Sequence, residues 1–158
     1  MSNVAAPAPA ATEQALVLRR VFEAPRETVF RLWSDPSRVK EWWHPKGFTT
    51  TRFEMEFREG GTYRFTVRSE ARESSAYGVY RVIDAPHRIV MSFQWDSGNA
   101  ALDRPTQVTL TFEEQSADKT LLTFCQEPFD SEAERISHSQ GWGQVLDAFA
   151  AMLAGAKA

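Results

Sequence analysis

The sequence predicts an α+β domain in which a curved antiparallel sheet wraps around a long C-terminal helix. Between Thr49 and Gln126, apolar and polar residues alternate with a period of two, as in antiparallel strands that have one face in water. From Ser131 to about Ala154 the apolar residues instead recur with the period of a helix. The inner face of the sheet is the large apolar surface on which we expect this helix to lie.

The chain before the sheet is predicted to contribute one strand and a bent pair of helices. Residues 16–23 are rich in β-branched and large apolar side chains and stop at Ala24-Pro25, which is typical of a strand. A first helix over residues 26–33 then has a proline near its first position and ends at Asp35-Pro36. A second helical turn over residues 37–42 ends before the next proline, because the residue preceding a proline disfavours helix.

Three hairpins follow, and the apolar pattern sets their registers, because a shift of one residue would turn every apolar side chain to solvent. The turns are predicted at residues 59–61, at Ala85-Pro86 and at residues 116–118. The predicted partners are Phe57 with Tyr63, Met55 with Phe65 and Phe53 with Val67, then Val82 with Ile89, Tyr80 with Met91 and Gly78 with Phe93, and finally Val108 with Gln126, Leu110 with Phe124 and Phe112 with Leu122.

The last helix is predicted to begin with a capping box, since Glu134 follows Ser131 by three positions. Its buried stripe consists of Trp142, Val145, Leu146, Phe149, Met152 and Leu153. Gly141 and Gly143 each cost about 1 kcal/mol relative to Ala in a helix interior. We therefore expect either a close approach of the helix to the sheet or a bend at these glycines.

Composition bears on domain number, partners and compartment. The chain has 158 residues, enough for one domain. Its formal net charge of −3 provides no excess of positive charge of the kind that DNA or RNA binding needs. No run approaches the ~18 apolar residues of a membrane span. Cys125 is the one cysteine, so no disulfide can form within the chain. We expect a cytoplasmic protein with a flexible tail over residues 1–12 and a single domain over residues 13–158.

Four short segments in fixed order resemble those of a known superfamily. They are Phe22-Glu23-Ala24-Pro25-Arg26, Asp35-Pro36 followed by Trp42-Trp43, Gly78 in the strand that runs toward Pro86, and Gly141-Trp142. The chain resembles the helix-grip superfamily of START lipid-transfer domains, birch-pollen-type allergens and polyketide cyclases, and within it the bacterial homologues of the C-terminal domain of the activator of the heat-shock-protein-90 ATPase. The resemblance implies an internal pocket but supplies no set of catalytic residues.

Aromatic and soft side chains dominate the predicted inner face, as they do in the walls of small-molecule sites. The polar groups among them, on Tyr63, Tyr80, Trp95 and Gln126, are expected either to orient a ligand or to bond within a filled core. The candidate ligand-binding residues are Trp43, Phe53, Phe57, Tyr63, Phe65, Tyr80, Met91, Phe93, Trp95, Phe124, Gln126, His138, Trp142 and Phe149. Trp42 and Trp43 are expected either to form one wall of the pocket, or to differ, with one filling the core and the other covering it.

Motifs of metal, nucleotide and serine-hydrolase chemistry do not occur in the sequence. The histidines His44, His87 and His138 form no HExxH or His-x-x-x-His spacing. No Gly-x-Gly-x-x-Gly, phosphate loop or Gly-x-Ser-x-Gly is present either. We predict no metal, no cofactor and no assigned catalytic residue.

Three functions follow as hypotheses. The first is binding of a hydrophobic small molecule, lipid-like or aromatic, in a pocket between sheet and helix. The second is a cyclase- or hydrolase-type enzyme that uses pocket tyrosines and His138 as acid and base. The third is a protein-interaction module, either co-chaperone-like or a homodimer.

Overall fold

The predicted α+β class and the order of its elements are confirmed by the structure. The computed structural model describes residues 15–100 and 102–157. In chain order its elements are β1 (Leu16–Phe22), α1 (Arg26–Ser34), α2 (Pro36–Trp42), β2 (Thr49–Met55), β3 (Thr62–Arg68), β4 (Glu73–Asp84), β5 (Arg88–Trp95), β6 (Thr106–Ser116), β7 (Lys119–Glu127) and α3 (Glu132–Lys157). The tail predicted over residues 1–12 lies outside the described residues, so the division into tail and domain stays a prediction.

The strands form one antiparallel sheet of seven, in the order β1-β7-β6-β5-β4-β3-β2. Each strand from β2 onward is adjacent to the next strand in sequence, while β1 pairs with β7 and so brings the start of the chain beside its last strand. The sheet curls around α3, which packs against β1 and α2. The side chains of the inner face, of α1, of α2 and of α3 share one core.

The register predicted for β2 and β3 is wrong by two residues. Met55 lies opposite Tyr63, and Phe53 lies opposite Phe65. The reason is that the turn between the two strands is wider than the sequence indicated. A hydrogen bond to another strand stabilises this turn, since the Gly60 amide donates to the Tyr80 carbonyl of β4 at 2.8 Å. A shift of two residues keeps each side chain on its face of the sheet, so the apolar residues still point inward.

The β4–β5 register is confirmed at Tyr80, which pairs with Met91, and is wrong at the pair Val82 with Ile89. A β-bulge between Tyr80 and Val82 places Val82 opposite Val90 instead. The extra residue of a bulge displaces all later partners by one, and alternation alone does not reveal it. The register predicted for β6 and β7 is confirmed, including the position of Gln126 opposite Val108.

The start of α3 is capped by Ser131, whose Oγ accepts from the Glu134 amide at 3.1 Å, as the predicted capping box requires. The glycines within α3 are not explained by close packing. A Cβ added at Gly141 or at Gly143 would meet no atom within 4 Å. The expectation of a close approach to the sheet is therefore wrong at both positions.

Trp42 and Trp43 have different environments. The Trp42 side chain is fully buried, its ring centroid lies 4.6 Å from that of Phe149, and its indole N–H donates to the Leu32 carbonyl at 3.3 Å. Trp43, the residue after α2, reaches instead toward β2, β3 and α3, with centroids 5.1 Å from Phe53 and 5.4 Å from Trp142. Trp42 thus fills the core beneath the helices, and Trp43 borders the space between sheet and α3.

Candidate ligand-binding cavity

A cavity of about 590 Å³ lies between α3, strands β3 and β5, the start of β4 and the segment that follows α2. The members of its apolar wall come from β3, β5, α3 and the segments that follow α2 and β5. They are Trp43, Pro45, Phe48, Phe65, Val67, Phe93, Trp95, Leu102, Trp142 and Val145. Polar residues also line the cavity, and among them are Arg72 just before β4, Glu73 in β4, Asp96 just after β5 and His138 in α3.

The glycine-containing turn of α3 contributes directly to the cavity. Ser137, His138, Gly141, Gln144 and Val145 all line it, which is the spacing of one helical face. Because Gly141 stands in the middle of this face and has no side chain, it leaves open the space that a larger residue would occupy.

The structure brings together a subset of the predicted ligand-binding residues. Trp43, Phe65, Phe93, Trp95, His138 and Trp142 line the cavity. The remaining candidates, Phe53, Phe57, Tyr63, Tyr80, Met91, Phe124, Gln126 and Phe149, lie outside this wall. Phe124 and Phe149 are fully buried. Phe124 of β7 and Phe149 of α3 therefore belong to the packed core between sheet and helices.

The sequence reasoning missed Phe48 and the run from Arg72 to Ser75. Phe48 lies just before β2 in the turn that follows Pro45, and Arg72 just before β4, so neither belongs to the alternating pattern that identified the inner face. The one signal for Phe48 was a large aromatic residue in an otherwise polar turn.

The four polar groups predicted on the inner face all have partners within the protein. The Tyr63 hydroxyl donates to the Ser92 carbonyl at 2.5 Å, and the Tyr80 hydroxyl lies 3.9 Å from the Met55 sulfur. Gln126 accepts from the Trp142 indole at 2.8 Å and donates to the Thr106 hydroxyl at 2.9 Å. The Trp95 indole N–H donates to His138 Nε2 at 2.9 Å. These hydrogen bonds connect strands to one another and to α3, so the burial of the four polar groups is explained without a ligand.

His138 connects α3 to the end of β5 beside the cavity. Its Nε2 accepts from the Trp95 indole N–H at 2.9 Å, and its Nδ1 lies 2.8 Å from the Glu134 carbonyl. Since an indole nitrogen only donates, Nε2 carries no proton, and the neutral ring donates through Nδ1. Both ring nitrogens are therefore already engaged.

Burial changes the acidity of three groups on or near the sheet. Burial raises the pKa of Tyr63, with a further increase from neighbouring Tyr80, and burial also raises the pKa of Tyr80 itself. Burial raises the pKa of the Cys125 thiol to about 11, and the nearby Glu127 carboxylate adds to the effect. All three groups therefore stay protonated near neutral pH.

These shifts predict a loss of stability in alkaline solution. A group whose pKa is higher in the folded than in the unfolded state holds its proton more tightly when folded. Its contribution to stability is therefore complete below the pKa of the unfolded state and is lost as the pH rises through the pKa of the folded state. For Cys125 the loss begins near the ordinary thiol value of 9.0, and the tyrosines add to it above 10.0. We expect the melting temperature to fall from about pH 9 upward, and to fall less steeply in Cys125→Ala. Equal slopes in melts recorded between pH 8 and 11 would contradict this assignment.

Comparison with known proteins identifies the family of this chain. The sequence profile of the family described as "Activator of Hsp90 ATPase homolog 1-like protein" matches residues 23–154. The chain belongs to this family. Comparison with the curated proteins finds no match to this chain.

Solved structures share the fold of this chain over most of its length. Protein CV1439 from Chromobacterium violaceum is 27% identical, with a TM-score of 0.80, over 89% of this chain and 97% of its own. The AHSA1 protein from Silicibacter pomeroyi is 21% identical, with a TM-score of 0.78, over 89% and 97%. CalU16 from Micromonospora echinospora is 22% identical, with a TM-score of 0.65, over 85% and 73%.

The described residues show neither a metal-binding cluster nor a membrane-spanning helix. Within residues 15–100 and 102–157, no group of three or more His, Cys, Asp or Glu side chains is arranged to hold a metal ion. None of the helices that the structure describes combines the length and apolarity needed to cross a membrane.

Proposed function

We propose that this protein binds a hydrophobic small molecule, lipid-like or aromatic, in the cavity between the sheet and α3. The observation that carries the proposal is the cavity itself, about 590 Å³ with a wall of aromatic rings. Pockets that enclose small organic ligands have volumes of roughly 300–1,000 Å³ and are lined mainly by apolar and aromatic side chains.

The chemistry of the wall favours an apolar ligand body. The indole N–H groups of Trp95 and Trp142 are bonded to His138 and Gln126, so these residues offer the cavity their rings rather than free donors. Each Å² of apolar surface that a ligand buries contributes roughly 25 cal/mol to binding. An apolar molecule therefore packs against these two rings without leaving either indole donor unpaired.

Filling the cavity from Gly141 tests the proposal. We expect wild-type protein to bind the neutral fluorescent probe N-phenyl-1-naphthylamine, and Gly141→Phe to bind it at least about tenfold more weakly, the effect of losing roughly 1.4 kcal/mol of contact. The new ring enters open space, since nothing lies within 4 Å of a Cβ at this position, and replacing a helical glycine does not destabilise the fold. Binding is followed by probe fluorescence, and folding by thermal melts.

Gly143→Phe is the matched control. It introduces the same side chain two residues away, again with nothing within 4 Å of the added Cβ, but Gly143 does not line the cavity. This variant is expected to bind the probe as wild type does. Absence of binding by wild type, or equal binding by both variants, would overturn the proposal.

The enzyme hypothesis receives no support from the cavity wall. Tyr63 and Tyr80, the tyrosines considered as acid and base, lie outside it and have raised pKa values, and His138 has both ring nitrogens engaged. Nothing about the cavity favours a dimer or a chaperone contact over a small ligand either.

A further inference from the structure

The cavity combines an aromatic interior with an arginine, Arg72, that forms no ion pair with the residues that the structure describes. We propose that its ligand is an amphiphile whose apolar body lies against the aromatic wall and whose anionic headgroup is bound by Arg72. This inference rests on the proposed function and specifies the ligand class for the same site.

Arg72 is held at the cavity by an aromatic neighbour. Both Arg72 and Phe48 belong to the wall, and the Arg72 guanidinium carbon lies 5.6 Å from the centroid of the Phe48 ring. A guanidinium over a ring is attracted by the ring's negative face, which restricts where the charge can go. Its N–H donors remain available, and their fork geometry suits the paired oxygens of a carboxylate, sulfonate or phosphate ester.

Neither carboxylate of the wall forms an ion pair with Arg72. Asp96 forms an ion pair with Arg64 at 3.0 Å, and Glu73 at the start of β4 lies opposite Arg68 of β3. Among the residues that the structure describes, Arg72 takes part in no such ion pair. The Arg72 guanidinium therefore contacts no carboxylate of the described residues and is available to pair with an anionic group of a ligand.

Neutral polar residues also line the cavity. They are Ser74 of β4 and Ser137 and Gln140 of α3. Hydroxyl and amide groups of this kind can donate hydrogen bonds to the oxygens of an anionic headgroup. The polar part of the wall thus suits such a headgroup, whereas the aromatic part suits an apolar body.

A pair of probes with the same ring skeleton tests the inference. N-phenyl-1-naphthylamine has no charge, whereas 1-anilinonaphthalene-8-sulfonate carries one sulfonate on the same skeleton. We expect Arg72→Gln to weaken sulfonate-probe binding by about three- to tenfold, between the effects of an exposed ion pair and of a charge-assisted hydrogen bond. Binding of the neutral probe should change less than about twofold. Added NaCl should weaken the wild-type sulfonate complex, because salt screens exposed charges.

Arg81→Gln is the control for net charge. Arg81 is also exposed and lies in β4, but it is not part of the cavity wall. This variant should bind both probes as wild type does, and equal weakening by the two arginine variants would overturn the inference. Dodecanoate should displace the sulfonate probe, whereas inorganic phosphate alone should not, and displacement by phosphate would show a site for free anions instead.

The two probes distinguish a failure of this inference from a failure of the proposed function. If wild type binds the neutral probe and Arg72→Gln leaves the sulfonate probe unaffected, the cavity binds apolar molecules without recognising an anion. If wild type binds neither probe, the proposed function itself is overturned.

Discussion

Replacing Trp142 with Ala is expected to lower the free energy of unfolding by about 3–5 kcal/mol, the usual range for removing a core aromatic side chain. Its ring centroid lies 4.6 Å from that of Phe124 and 5.5 Å from that of Phe93, so α3 contacts two strands through this one residue. The side chain is only 6% exposed, and its removal would leave a cavity beneath the helix.

Part of the loss comes from a hydrogen bond. The Trp142 indole donates to Gln126 Oε1 at 2.8 Å, and the Gln126 side chain is 1% exposed, so without the indole this oxygen is buried with a partner missing. Trp142→Phe keeps a ring in place but removes the donor, and we expect it to cost about 1–3 kcal/mol. Urea unfolding followed by circular dichroism measures both variants.

Ile136→Ala provides the control on the same helix. Ile136 is 44% exposed, and substitutions at exposed positions usually change stability by no more than about 0.5 kcal/mol. A loss below about 1 kcal/mol for Trp142→Ala would mean that this face of α3 does not lie on the sheet.

The second large effect is expected at Gly78, where β4 and β5 approach each other more closely than a side chain allows. A Cβ at this position would lie 2.0 Å from the Ser92 carbonyl oxygen and 2.7 Å from Cε1 of Tyr63. The same carbonyl accepts the Tyr63 hydroxyl, so neither neighbour can move without losing that bond. We expect Gly78→Ala to cost about 3 kcal/mol, the upper part of the range for overpacking.

Gly143→Ala makes the same chemical change where space is open. Nothing lies within 4 Å of a Cβ at Gly143, and Ala is favoured over Gly in a helix by about 1 kcal/mol. This variant should be as stable as wild type or slightly more stable in urea unfolding. If Gly78→Ala were equally well tolerated, the spacing of β4 and β5 described here would be incorrect.

Sequence patterning predicted the elements well because each helix and strand shows its own apolar period. Its errors in register have physical causes that act across the fold. The turn after β2 is widened by the bond from Gly60 to Tyr80 of another strand, and the bulge after Tyr80 displaces the partners of Val82 and Ile83. Neither the hydrogen bond nor the bulge changes the alternation of apolar and polar residues within a strand, so the sequence pattern does not reveal them.

The candidate site was predicted less completely than the fold. Alternation identified the inner face of the sheet but not which part of it borders the cavity, so Phe124 was predicted as a ligand contact and lies in the core, whereas Phe93 lines the cavity. Phe149 of α3 was also predicted as a ligand contact and is fully buried. Phe48 and Arg72 belong to connecting segments, which have no periodicity, and only the folded chain brings them beside the cavity.

The distribution of the tryptophans makes the cavity observable by spectroscopy. Trp43, Trp95 and Trp142 line it, whereas Trp33 and Trp42 lie in the core with their ring centroids 4.6 Å apart. Trp43 is 5.6 Å from Trp42, a separation at which excitation passes readily from one indole to the next. A bound molecule that quenches Trp43 will therefore also diminish emission from the interior pair. Intrinsic fluorescence should report occupancy of the cavity without any label.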